Sequence, residues 1–187
     1  MSLTIFIVVI LGLFALAIWI RNNIVRYFNA TQRAWADVAS YERKKVQTLN
    51  ELEPVLEKYT QFEKGTLERV TELRSRILSL NSNTQDVGQL QVIESLTKEL
   101  MKSLNVVVEN YPELKADQLY SKMMDEINEE NENVTAAITI FNRNVELFNN
   151  HIEVFPNNWV NGMTLGKKPI RPFSDAVQQN FDYKPNF

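Results

Sequence analysis

A chain of 187 residues with many carboxylates and one histidine, His151, invites a search for metal chemistry. Carboxylate di-iron sites in helical bundles need Glu-x-x-His pairs on two helices. Here the residue three before His151 is Phe148, and there is no second histidine, so that chemistry fails at its first requirement. His151 instead reads as a helix-surface residue beside Asn150. One histidine does not support a Ser-His-Asp argument, and the absence of cysteine removes thiolate nucleophiles, disulfides and Cys-type zinc sites. There is no glycine-rich phosphate loop. The acidic run DEINEENEN (Asp125–Asn133) offers hard oxygen ligands to a divalent cation, yet without the loop geometry of a calcium site it reads as a solvated helix face. The basic run YERKK (Tyr41–Lys45) would meet anionic lipid only beside a membrane; it begins about 30 Å along a helix from Arg21, at 1.5 Å per residue. Pairing with Glu42 or with acids of another helix is the simpler reading. The expectation is a protein that is not an enzyme, with no catalytic residue, cofactor or metal site. A net charge of -3 gives no nucleic-acid footprint.

The elements that would carry any site begin with LTIFIVVILGLFALAIWIR. From Leu3 to Ile20 the only non-apolar side chain is Thr4. Eighteen helical residues cover roughly 27 Å, close to the hydrocarbon thickness of a bilayer. A secretory signal would carry basic residues first and a small-x-small cleavage site after. Here the first basic residue is Arg21, beyond the apolar run. A buried core helix is the less favoured reading, since the run is apolar on every face. The stretch is therefore read as an uncleaved anchor over residues 1–22, with Leu3, Ile5, Phe6, Leu13, Phe14, Trp19 and Ile20 in the membrane. Trp19 and Tyr27 are candidate belt aromatics. Arg21, Arg26 and Arg33 follow the span and none precedes it, so the positive-inside rule puts the N-terminus outside and the larger part in the cytoplasm.

Residues 23–156 read as a helical domain. Leu49, Leu52, Leu56, Tyr59, Val70, Leu73, Ile77 and Leu80 recur in steps of three and four, with Glu63 and Thr66 in the two missing places. Phe28, Trp35 and Val38 fall on the same seam. A 3.5-residue repeat suits near-parallel packing of helices, as in a coiled coil. Pro54 or Gly65 could break the run, and one long helix through both is the alternative. NSNTQDVGQ (Asn81–Gln89) reads as a loop. A helix near 90–108 follows, with Leu90, Ile93, Leu96, Leu100, Leu104 and Val107 as its stripe. Pro112 ends it, and Asp117 is a candidate cap for the next helix. That helix, near 117–154, carries Ile127, Asn131, Val134, Ile138, Phe141, Val145, Phe148, Ile152 and Phe155 in strict alternation of four and three. Asn131 either fixes register within the seam or lies at the wet end of the bundle. Pro156 stops the helix, and residues 157–187 read as an irregular aromatic tail.

RAWADVASYERKK (Arg33–Lys45), EKYTQFEKGTLERVTELR (Glu57–Arg74), ENYPELKA (Glu109–Ala116) and FNRNVELFNNHIEVFPNN (Phe141–Asn158) resemble the LemA family in content and order. GMTLGKKPIRPF in the tail is similar to that family's C-terminal pattern. The resemblance implies an all-α fold, a transmembrane helix followed by an antiparallel four-helix bundle, in a bacterial inner (cell) membrane with the short N-terminus outside. It implies no enzyme activity. Two departures stand out. The family's proline near Asn50 is here at Pro54, and Thr139 and Ile140 precede Phe141 where a basic pair is common.

Two functions are expected from these features. In the first, anchored copies self-associate as a homo-oligomer that organises or shapes the bilayer, with membrane lipids as partners. Phe28, Trp35, Trp159, Met163, Phe173 and Phe181 are its candidate contacts. In the second, the protein is an adaptor that recruits a different membrane or signalling protein.

Overall fold

A computed structural model describes residues 2–59 and 64–174. Among them lie six helices and no strand: α1 Ser2–Tyr59, α2 Lys64–Ser79, α3 Val87–Asn110, α4 Pro112–Lys115, α5 Gln118–Glu153 and α6 Asn157–Thr164. The all-α expectation holds. The chain forms two compact units, to both of which α1 and α5 contribute. Of the described residues, the first holds 2–34 together with Ile140–Pro172, and the second holds 35–59, 64–139 and 173–174.

The second unit is the bundle. Its core is the seam read from the sequence: Leu49, Leu52 and Leu56 of α1, Val70, Leu73 and Ile77 of α2, and Ile127, Val134 and Ile138 of α5 are buried. Burying each such side chain contributes about 1.5–3 kcal/mol. Pro54 does not end α1 but lies within it, on an exposed face. Gly65 lies in the first turn of α2, so α1 and α2 are separate helices. Glu63 lies outside the described residues. Thr66 does fill its place in the seam, fully buried, with its hydroxyl 2.7 Å from that of Ser103 in α3.

The stripe of α3 differs from expectation at one position. Thr97, rather than Leu96, completes the buried series Leu90, Ile93, Thr97, Leu100, Leu104 and Val107. The observed spacing is strict alternation of three and four. The Thr97 hydroxyl is satisfied by donating to the Ile93 carbonyl one turn back, at 2.9 Å. α3 also starts inside the expected loop, because the Asp86 carboxylate caps it by accepting the Gln89 amide at 2.9 Å. Asp117 caps α5 in the same way, accepting the Leu119 amide at 2.8 Å.

Neighbouring helices run antiparallel. Arg74 of α2 pairs with Glu53 of α1 at 2.8 Å, while further back along α1 Arg43 donates to the Leu80 carbonyl at 2.8 Å and Trp35 to the Asn81 carbonyl at 2.9 Å. Those two carbonyls follow the last turn of α2, where helix geometry leaves acceptors without partners. Trp35 is thus wholly buried, its ring in the core and its indole N–H spent on the end of α2.

Inside the bundle sits a charged cluster. Lys45 and Glu42, both fully buried, pair at 2.9 Å across one turn of α1. The Lys45 ammonium also donates to Asn131 Oδ1 of α5 at 3.1 Å and lies 3.9 Å from Glu94 of α3. Of the two readings of Asn131, membership of the packed seam is the one observed. The YERKK run likewise pairs internally. Burial pushes the Glu42 carboxyl up to about 7; the Lys45 charge opposes that rise and Glu94 adds to it.

This cluster fixes the sign of a pH effect. An acid that titrates near 4.5 unfolded and near 7 folded contributes stability that is complete below 4.5 and is lost as pH rises through 7. Denaturant melts of the protein in detergent should therefore show the bundle weakening between those values, and Glu42→Gln should flatten the profile. Lys45→Ala leaves Glu42 without its counter-charge and should cost about 3–5 kcal/mol above pH 7, with much of it recovered at pH 5 as Glu42 protonates. An equal loss at both values would remove the ion pair from the explanation.

Candidate functional site: the end of the apolar run and its asparagine clamps

The first unit is organised around the point where the apolar run of α1 ends. From Leu3 to Trp19 the large apolar side chains, Leu3, Ile5, Phe6, Leu13, Phe14 and Trp19 among them, are exposed on every side. α1 is, among the described residues, the one helix long and apolar enough to cross a membrane. At Ile20 the pattern changes within one residue. Ile20 is 2% exposed and packs with Ile24, Phe148 and Ile152 in a small core flanked by Tyr27, Phe28, Val160, Leu165 and Ile170. Arg21, Arg26 and Arg33 lie on an exposed stripe of α1 with Asn22 and Asn29.

α5 packs here antiparallel to α1. Thr31 faces Asn144, Phe28 faces Phe148, and Tyr27 faces His151. The Thr31 hydroxyl, fully buried, lies within hydrogen-bond reach of the Tyr27 carbonyl at 3.1 Å and the Asn144 carbonyl at 3.2 Å. His151 is not the surface residue expected. It is half-buried, with its ring 4.7 Å from that of Tyr27, and the Asn157 amide donates to its carbonyl at 2.9 Å. Burial lowers its pKa from the ordinary imidazole value. Tyr27, read as a belt aromatic, is the other half of that stack.

Beyond α5 the expected irregular tail begins with a helix. α6 turns inward Asn157, Val160 and Asn161 and turns outward Asn158, Trp159, Gly162 and Met163. It ends at Thr164, and Gly166 just beyond the cap has a φ of 59°, the left-handed value of a helix C-terminal turn. The extended segment that follows is held by side chains. Asn161 donates to the Lys167 carbonyl at 2.8 Å and accepts the Lys167 amide at 3.0 Å. Asn149 of α5 does the same for Ile170, at 2.8 and 2.9 Å. Each asparagine thus satisfies both polar groups of one residue, as a neighbouring strand would. Lys167 places its ammonium 3.6 Å from the centre of the Phe28 ring, a cation–π contact that shields that face.

The candidate contact residues therefore have different fates. Trp35 is consumed in the bundle, Phe28 is half-buried beneath Lys167, and Phe173 is half-buried. Trp159 and Met163 are exposed at 70% and 84%. Phe181 lies outside the described residues. Phe155, expected in the seam, falls just beyond α5 and is 75% exposed, its ring edge-on to Trp159. The sequence reading named Glu42 and unspecified acids of another helix as partners for the YERKK run, and it passed over Asn149 and Asn161. Asn149 and Asn161 lay in plain view within runs rich in asparagine, but nothing local marks the carbonyl each one meets. Among the described residues no group of carboxylates and histidine could hold a metal ion.

The clamps make a local forecast. Amide hydrogen exchange should find the Lys167 and Ile170 amides protected. Asn161→Ala should release the first and Asn149→Ala the second, each costing about 1–3 kcal/mol for the polar groups left unpaired. Unchanged protection at the partnered residue would show that the clamp does not hold the segment.

Comparison with known proteins identifies the family. The LemA family signature matches residues 34–184. A curated relative, Protein LemA of Metamycoplasma hominis, is 27% identical over 122 residues, which is 65% of this chain and 54% of that protein. The chain thus spans about half the length of the curated relative it matches. Trp35, Glu42, Arg43, Lys45, Asn149, Asn157 and Asn161 all fall within the matched range, and the chain belongs to the LemA family.

Proposed function

We infer that this protein is a non-enzymatic, single-pass scaffold of the bacterial cell membrane, with its short N-terminus outside and its helical units in the cytoplasm. The observation that carries the reading is the contrast along α1. Residues 3–19 expose apolar side chains on every face, whereas from Ile20 onward the same helix buries one face in protein. Such a run loses its cost only in lipid, where a helix satisfies its own backbone. The arginine stripe after the span supports the cytoplasmic placement.

Support for a non-catalytic role comes from where the polar chemistry goes. The Glu42–Lys45 pair is shut inside the bundle, and the asparagines of the first unit hold backbone. Tethering to one plane raises the effective concentration of copies, so weak contacts between bundles suffice for assembly. Leu78 of α2 with Val92 and Val106 of α3 are exposed apolar side chains suited to such contacts.

Light scattering on detergent-extracted protein should give a mass above the monomer that falls on dilution. Leu78→Glu with Val92→Glu and Val106→Glu should shift it toward the monomer. A monomer at every concentration would remove the scaffold and favour an adaptor for another protein. Protease added to right-side-out cells should spare the helical units, and their digestion would reverse the orientation.

A further inference from the structure

We propose that the α5–α6 corner is a second membrane contact, an interfacial foot in which Val154, Phe155, Trp159 and Met163 enter the boundary between headgroups and acyl chains beside the anchor. The proposal rests on the reading of Leu3–Trp19 as a span.

Geometry places the corner at that depth. The pairs Thr31–Asn144, Phe28–Phe148 and Tyr27–His151 fix the antiparallel register of α1 and α5. Carried one to two turns further, the register puts Val154 and Phe155 level with the stretch of α1 from Ile20 to Asn23. Ile20 gives the same answer independently. It directly follows the exposed apolar run, so whatever buries it borders the bilayer, and its covering includes Ile152 with Val160 of α6 close by.

The chemistry of the outward face agrees. Val154, Phe155, Trp159 and Met163 are all more than half exposed, and Phe155 and Trp159 meet edge-on, 6.2 Å apart. Met163 follows Trp159 by four residues and so lies on the same side of α6. A cluster of exposed large apolar groups on a water-facing surface is unfavourable, whereas Trp and its neighbours are at home at the interface. Exposed Arg21, Lys168 and Arg171 add cations suited to anionic headgroups. Lipid is preferred to a second copy because the patch continues the lipid-facing surface of the anchor.

The chain has no cysteine, so single labels can be placed without other changes. Phe155→Cys, Met163→Cys and, as reference, Leu13→Cys would each carry the fluorophore NBD. The full chain would be reconstituted in vesicles of phosphatidylcholine and phosphatidylglycerol, with and without brominated acyl chains. The proposal expects several-fold quenching at all three positions, strongest at Leu13 and weaker at the foot. Quenching at Leu13 with none at Phe155 and Met163 overturns the foot and leaves the anchor standing. Bright foot labels untouched by bromine, and dimmed when protein is diluted in lipid, would mean a second copy covers the patch and would also overturn it. Absence of quenching at Leu13 defeats the anchor reading and the foot together.

Discussion

Burial of Ile20 and Ile24 against Phe148 and Ile152 is the constraint on which the first unit depends. An apolar helix leaving a membrane carries no information about its azimuth, because every face is alike. These four side chains supply it. They commit one face of α1 to protein from the first residue past the exposed run, and they set the register in which Tyr27, Phe28 and Thr31 meet α5. Phe148 belongs to the largest fully buried side chains. Packing of this kind is sensitive to volume, so the first turns of α1 past the exposed apolar run are held by shape and not by charge.

The bundle solves a different problem. Its helices keep apolar seams, yet Glu42, Lys45, Thr66 and Thr97 lie inside them. Each has a partner suited to its chemistry: an opposite charge, a hydroxyl, or a carbonyl one turn back. Apolar seams alone allow neighbouring helices to slide by a turn. A lysine that must meet Glu42, Glu94 and Asn131 together does not tolerate such a slide, in keeping with the use of buried polar groups to define register. Trp35 and Arg43 act at another level, closing the C-terminal end of α2 from a distant part of the chain.

Much of this was legible before any coordinates, because periodicity reports burial directly. The seams of α1, α2 and α5 follow their expected residues, and Asp117 caps α5 as expected, whereas the Asp86 cap lay inside what read as a loop. Leu96 and Thr97 mark one failure. Hydropathy alone favours the leucine, while strict spacing favours the threonine, and spacing prevails once the hydroxyl can bond within its own helix. Phe155 marks another, since a repeat counted past the end of a helix no longer predicts a face. The paired hydrogen bonds of Asn149 and Asn161 were illegible for a deeper reason. They join side chain to backbone across 21 and 6 positions, and a carbonyl has no residue type by which to announce itself.

Those paired amides have a consequence beyond holding a segment in place. Chain lying extended on a helical protein is ordinarily an invitation, since its unpaired N–H and C=O groups can template another strand. Here the groups of Lys167 and Ile170 are already saturated, and by side chains that present no continuing ladder of their own. Copies tethered in one plane, as proposed above, would collide often, and closing those positions to strand addition would remove two places at which such a population could seed fibrous aggregates.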